Sequence, residues 1–175
     1  YVCDSQTGEI GAGQPYLVCS ISGRVYSIAV QSSNKPFSVA ELTSPTDRND
    51  ADQPHAWFCQ AERMLIVQNM LDRPIIWNGA SVFRSNCLTK EPHQVPIGGP
   101  MVYGKGRLAV AKDNTYTMGD LVGAAPSYSR DNVINFTENE FISEGGSFSV
   151  PQGPITGLIY GANLDTTLGD GDLYV

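Results

Sequence analysis

Charged residues are scarce in this chain of 175 residues: Asp, Glu, Lys and Arg together make 17%, where a globular domain usually carries about a quarter. The shortage is sharper for cations, 11 against 18 acidic residues, which leaves a net charge of −7. The cations are scattered and form no Lys/Arg stripe, so specific DNA or RNA binding is disfavoured. Histidine is rarer still, at two. His55 and His93 stand alone, with no GxSxG elbow or HExxH pair beside them, and covalent catalysis needs a nucleophile next to an oriented base. We read both as residues at strand or loop edges bonded to backbone. No apolar run approaches the roughly 18 residues of a membrane span, and no signal-peptide pattern opens the chain. Cys3, Cys19, Cys59 and Cys87 include no CxxC pair. Cys19, Cys59 and Cys87 sit in or beside apolar segments, as reduced small hydrophobes do, which fits assembly in a reducing cytosol. The even count leaves a disulfide frame open. Helical periodicity is nearly absent too.

What the chain has is turns. Gly 18 and Pro 11 exceed the ordinary share, while 41% hydrophobic residues exclude a disordered chain. Many short strands satisfy both observations. The stretch 56–70 is the best helix candidate, but Trp57-Phe58-Cys59 and Leu65-Ile66-Val67 are compact apolar runs split by polar residues, and strand–turn–strand explains the split better.

A repeat is the most informative feature. A short apolar strand, a tight turn and a second apolar strand recur at 16–30, 56–68, 101–111 and 155–175. Arg24, Arg63 and Arg107 mark the first three turns, 39 and 44 residues apart, and the fourth unit is delayed, as an inserted loop would do. A period near 40 to 45 with about four strands each is the pattern of β-propeller blades. Third strands are expected at 37–42, 74–77 and 116–122, and fourth strands at 81–84 and 132–136. The fold class is therefore all-β, a propeller-like array of antiparallel hairpin blades and a partial propeller; a β-sandwich is the alternative. We expect residues 1–175 to form a single region of this kind. The chain opens on Tyr1 and stops in the strand-like Leu173-Tyr174-Val175, so we expect it to be a piece of something longer.

Other candidate sites have plainer readings. Asp165, Asp170 and Asp172 share a Gly-rich loop that a hard cation such as calcium would suit, but EF-hand spacing is missing and a solvated turn tipped by Asp170-Gly171 explains it. Asp47, Asp50 and Asp52 invite the same reading. Asn135-Phe136-Thr137 is formally a glycosylation sequon, which we treat as chance. Gly98-Gly99, Gly104 to Gly106 and Gly145-Gly146 lie in no strand-to-helix setting that would cradle phosphate. The three repeated arginines either cap strands and bond neighbouring blades or converge on a ligand; we favour the first.

The segment 96–111, with its Gly106-Arg107-Leu108-Ala109-Val110, is followed by Met118-Gly119-Asp120-Leu121-Val122-Gly123, by Val133-Ile134-Asn135-Phe136-Thr137, and by Ile155-Thr156-Gly157-Leu158 with Gly171-Asp172-Leu173-Tyr174-Val175. This succession resembles the β-propeller region of tailed-bacteriophage virion proteins of the tail nozzle and head-to-tail adaptor type. It covers roughly residues 96 to 175, with an echo at 55–86. The resemblance implies a non-enzymatic structural role in a virion ring, with copies of the chain, other tail or portal-adjacent proteins and passing DNA as partners. It implies no catalytic residue, cofactor or metal. An acidic wall suits a DNA conduit, since Lys and Arg would hold phosphates. The alternative is a carbohydrate- or host-receptor-binding propeller module, in which Trp57, Trp77 and surface tyrosines would stack on sugars.

Overall fold

Two-residue turns set the architecture. At Ser22-Gly23 and Lys105-Gly106 both central residues have positive φ (48° and 75°, 49° and 73°), the geometry that matches the twist of paired strands. Gly23 is required twice over, because a Cβ there would meet the Asn49 carbonyl oxygen at 2.1 Å. Glu62 opens the corresponding turn of the second hairpin at φ 51°. Here the repeat is one residue out of register: Arg24 and Arg107 are the first strand residues after their turns, paired with Ile21 and Gly104, whereas Ala61 pairs with Met64 and leaves Arg63 inside the turn.

The computed structural model describes residues 2–3, 14–30, 37–88, 93–123, 129–138, 145–162 and 170–175. They form several antiparallel sheets, none of them closed, and no α-helix occurs among them. The first sheet joins β1 (Val2–Cys3), β2 (Gln14–Ile21), β3 (Arg24–Ala29) and β4 (Ser38–Glu41) in that order. The second is β5 (Trp57–Ala61), β6 (Met64–Gln68), β7 (Ile75–Trp77) and β8 (Val82–Arg84). The third is β9 (Met101–Gly104), β10 (Arg107–Lys112), β11 (Thr115–Met118) and β12 (Gly146–Ser149). A two-stranded fourth sheet pairs β13 (Ile159–Ala162) with β14 (Asp170–Tyr174).

The sheets stack face to face, and strand alternation shows how. From the second sheet, Leu65, Val67, Ile75 and Trp77 form one core with Val25, Tyr16, Val18 and Leu42 of the first. Met64, Ile66 and Ile76 point the other way, into a core with Leu108 and Val110 of the third. All five residues of β6 are buried, because both faces of its sheet are covered. Gln68, 1% exposed, bridges the second and third units: its Oε1 accepts from the Gly98 amide at 2.6 Å and its Nε2 lies 2.9 Å from the Met101 sulfur.

Three expected strands are corrected. Residues 132–136 are not a fourth strand; Arg130–Ile134 form a 3₁₀ turn capped by the Ser129 side chain, which accepts from the Asp131 amide. The outer strand is β12 instead, with Thr117 and Ser147 hydroxyls 2.9 Å apart. Residues 155–158 are irregular, the Ile155 amide bonding the Asp113 carbonyl at 2.6 Å, and strand begins at Ile159. The third strand of the third unit stops at Met118 rather than Val122, because Gly119-Asp120 turns away to bind residues 135–138.

Candidate functional site

The repeated arginines serve different partners. Arg24 is exposed and donates to the Tyr26 hydroxyl at 3.5 Å. Arg63 forms a two-pronged pair with Asp131 of the 3₁₀ turn, its Nε 2.6 Å from Oδ1. Arg107, its side chain 8% exposed, donates to the Gly119 carbonyl at 2.7 Å and to Glu138 at 2.5 Å. Arg107 ties strand to loop, and Arg63 ties a hairpin turn to the 3₁₀ turn. A fourth cation does more of this work: Arg84 at the end of β8 reaches Asp47 Oδ1 (3.1 Å), the Asp47 carbonyl (2.8 Å), Asn49 Oδ1 (2.5 Å) and the Arg73 carbonyl (2.7 Å). It fastens the second sheet to the loop that leaves the first. In that same region the bond from Arg48 holds the Glu41 carboxyl below its usual range.

Asp120 organises the third unit. Only 8% exposed, its carboxylate accepts the amides of Thr137 and Glu138 (2.6 and 2.8 Å) and the Thr137 hydroxyl (2.6 Å), while its own amide bonds the Asn135 carbonyl at 2.9 Å. Gly119 makes room for this, since a Cβ there would stand 3.1 Å from that carbonyl oxygen and from the Phe136 ring. The Gly-Asp and Asn-Phe-Thr stretches singled out in the sequence are therefore two halves of one knot.

The remaining candidates are dispersed. His55 is exposed with its ring 6.0 Å from Trp57, and the His93 carbonyl accepts the Phe136 amide at 2.9 Å. Asp47 pairs with Arg84, and Asp50 accepts the Asp52 amide at 2.9 Å. The loop 163–169, with Asp165, lies outside the described residues, as do the side chains of Asp170 and Cys3. Cys19, Cys59 and Cys87 are free thiols. Burial raises the Cys59 thiol to about 11, so it stays protonated and inert at neutral pH. Trp77 is not a surface platform: 4% exposed, it meets Tyr16 edge-on at 5.0 Å within the core. Trp57 is half-buried.

The aromatic platform is elsewhere, and sequence reading missed it. The two-stranded fourth sheet packs on β9, and among the described residues the same face of β11 and β12 is left open. A cleft of about 490 Å³ results, lined by Lys105, Arg107, Tyr116, Met118, Phe148 and Tyr160 among others. Tyr116 and Phe148 stack with ring centroids 5.2 Å apart and planes at 25°. The signal was present in Tyr116-Thr117-Met118, whose period-2 spacing puts two large side chains on one face, but the facing Phe148 stands alone among Gly and Ser. Tyr160 forms the opposite wall, lying where a Cβ on Gly104 would be 2.3 Å from its ring. The cleft can hold a planar or apolar group but offers no paired acid and base.

Among the described residues, no buried side-chain polar atom lacks a hydrogen-bond partner, no cluster of His, Cys, Asp or Glu is arranged for a metal, and no helix is long and apolar enough to cross a membrane. Compared with known proteins, the chain matches no family model, no curated sequence and no solved structure.

Proposed function

We propose that this chain is a non-enzymatic structural module of propeller type, part of the ring-shaped DNA conduit of a bacteriophage tail or head-to-tail connector. The observation that carries the reading is the use made of its polar residues. Arg63, Arg84, Arg107 and Asp120 are spent on fastening loops to stacked sheets, and a catalytic centre would need such groups positioned toward an open site with tuned pKa values. A rigid wall of short strands is what these bonds make. The net charge of −7 suits a surface past which phosphates slide. The sequence resemblance to tail nozzle and adaptor propellers agrees with this role.

A gel-shift series at low salt, where electrostatic binding is strongest, tests the conduit reading. We expect no retained complex with duplex DNA up to about 10 µM protein, inside the usual range of non-specific binding. Tight or sequence-dependent retention would overturn it. The Tyr116–Phe148 cleft favours a second reading, a carbohydrate- or receptor-binding module, because aromatic faces beside polar groups stack on sugar rings. Glycan binding lost in Tyr116→Ala would move the assignment there.

A further inference from the structure

Among the described residues, two sheet faces have no sheet packed on them, the rear of one end sheet and the front of the other. Each sheet presents a rear face toward the sheet before it and a forward face toward the sheet after it. The forward faces of the first three sheets are covered, in whole or part, by the next sheet: Val25 meets Leu65 and Val67, Ile66 meets Leu108 and Val110, and Gly104 meets Tyr160. That leaves the rear face of the first sheet and the forward face of the fourth.

Both are apolar. On the first sheet the register sets Leu17 beside Ile28 and Ile28 beside Val39, a row across three strands with Leu17 60% and Val39 59% exposed. On the fourth sheet Ile159 pairs with Tyr174, and these are 63% and 61% exposed. Tyr174 lies along this outer face, its ring 2.7 Å from where a Cβ of Gly161 would stand. Contiguous apolar rows of this kind mark interaction surfaces. The charges are complementary as well. Arg24, exposed beside its turn, feels the Glu41 carboxylate on the same face but enters none of the ion pairs among the described residues. Asp172, in the middle of β14, is 91% exposed and pairs with Lys105 at 3.9 Å.

We propose that copies of this chain associate head to tail, the outer face of β13 and β14 of one copy packing on the outer face of β2 and β3 of the next. This rests on the structural reading above and specifies its partner and interface. The step that places one copy on the next repeats the step that places one sheet on the next, so the hairpin row Ile159–Tyr174 falls against the row Leu17–Ile28, and Asp172 falls toward Arg24. Such a contact is heterologous, closing into a ring when the rotation per copy divides a full turn. A contact between a hairpin and a sheet is smaller than a standard interface, so association is concentration-dependent.

Sedimentation equilibrium of the chain from about 1 µM to about 1 mM, the affinity range expected of a small interface, tests this. The mass of the unmodified chain should rise above that of the monomer. Leu17→Asp and Ile159→Asp should each stay monomeric, because each removes one of the two faces. Their equimolar mixture should form a heterodimer and nothing larger, because each variant keeps the face the other lost. Both positions are exposed, and an unchanged thermal unfolding curve will show that the variants fold. A wild-type chain monomeric throughout, single variants that still associate, or a mixture that stays monomeric would overturn the proposal. One variant that still associates while the other does not would mark a two-fold contact between identical faces. None of these results bears on DNA indifference or on presence in a virion, so failure here is separable from failure of the structural reading.

Discussion

Asp120 illustrates what a single side chain contributes in a fold with few charges. Its carboxylate accepts three hydrogen bonds from residues 137 and 138 while nearly buried, and bonds to a charged acceptor are the stronger kind. Asp120→Ala should cost about 3 kcal/mol, because two backbone amides and a hydroxyl lose their acceptor in a desolvated place. Asp120→Asn should cost about 1 kcal/mol, since its amide oxygen can still take both amides and its nitrogen can face the Thr137 hydroxyl. Urea unfolding of the two variants checks the order; equal losses would mean the knot is not held by that oxygen. At this scale the sequence is hard to read. Gly119-Asp120 and Asn135-Phe136-Thr137 were visible as separate short motifs, but nothing in their spacing says that they touch. The arginines carry the same lesson. Their near-constant spacing was legible, yet a one-residue shift puts Arg63 in a turn and Arg24 and Arg107 in strands, so their partners differ.

Strands and hairpins were the most legible level, and where reading failed the reason is physical. The hairpins at 16–30, 56–68 and 101–111 follow from apolar strands separated by two polar or Gly residues, a pattern that few backbone geometries satisfy. Third strands at 38–41 and 75–77 and a fourth at 82–84 were placed nearly in full. β12 was invisible because it is an edge strand with a single large apolar residue, Phe148, in Gly-Ser-Phe-Ser. The apolar run Val133-Ile134 was read as a strand because burial alone does not distinguish a strand from a 3₁₀ turn; the Ser129 cap decides it. Arg84 joins elements that are far apart in sequence, and Lys cannot replace its planar fork. Arg84→Lys should lower stability by about 2 kcal/mol, several acceptors losing a charged donor at once. Hydrogen exchange should show the amides of β3 opening faster while those of β10 keep their protection. Uniform acceleration across both sheets would contradict a local role for this staple.

The order of the sheets along the stack follows the order of the repeats in the chain, which is why a period near 40 was enough to suggest blades. Period says nothing about closure. The described sheets are stacked and none closes, and the faces at the two ends are apolar, so these exposed apolar rows are the ones that would continue the stack. On the proposal made above, these surfaces and the bonds behind them serve a particle wall rather than a reaction. The most direct test of that proposal is location. Antibody against the folded chain, applied to intact tailed virions and viewed with gold by electron microscopy, should label the particles at the tail or at the junction of head and tail. Label confined to free protein, with tailed particles bare, would contradict it.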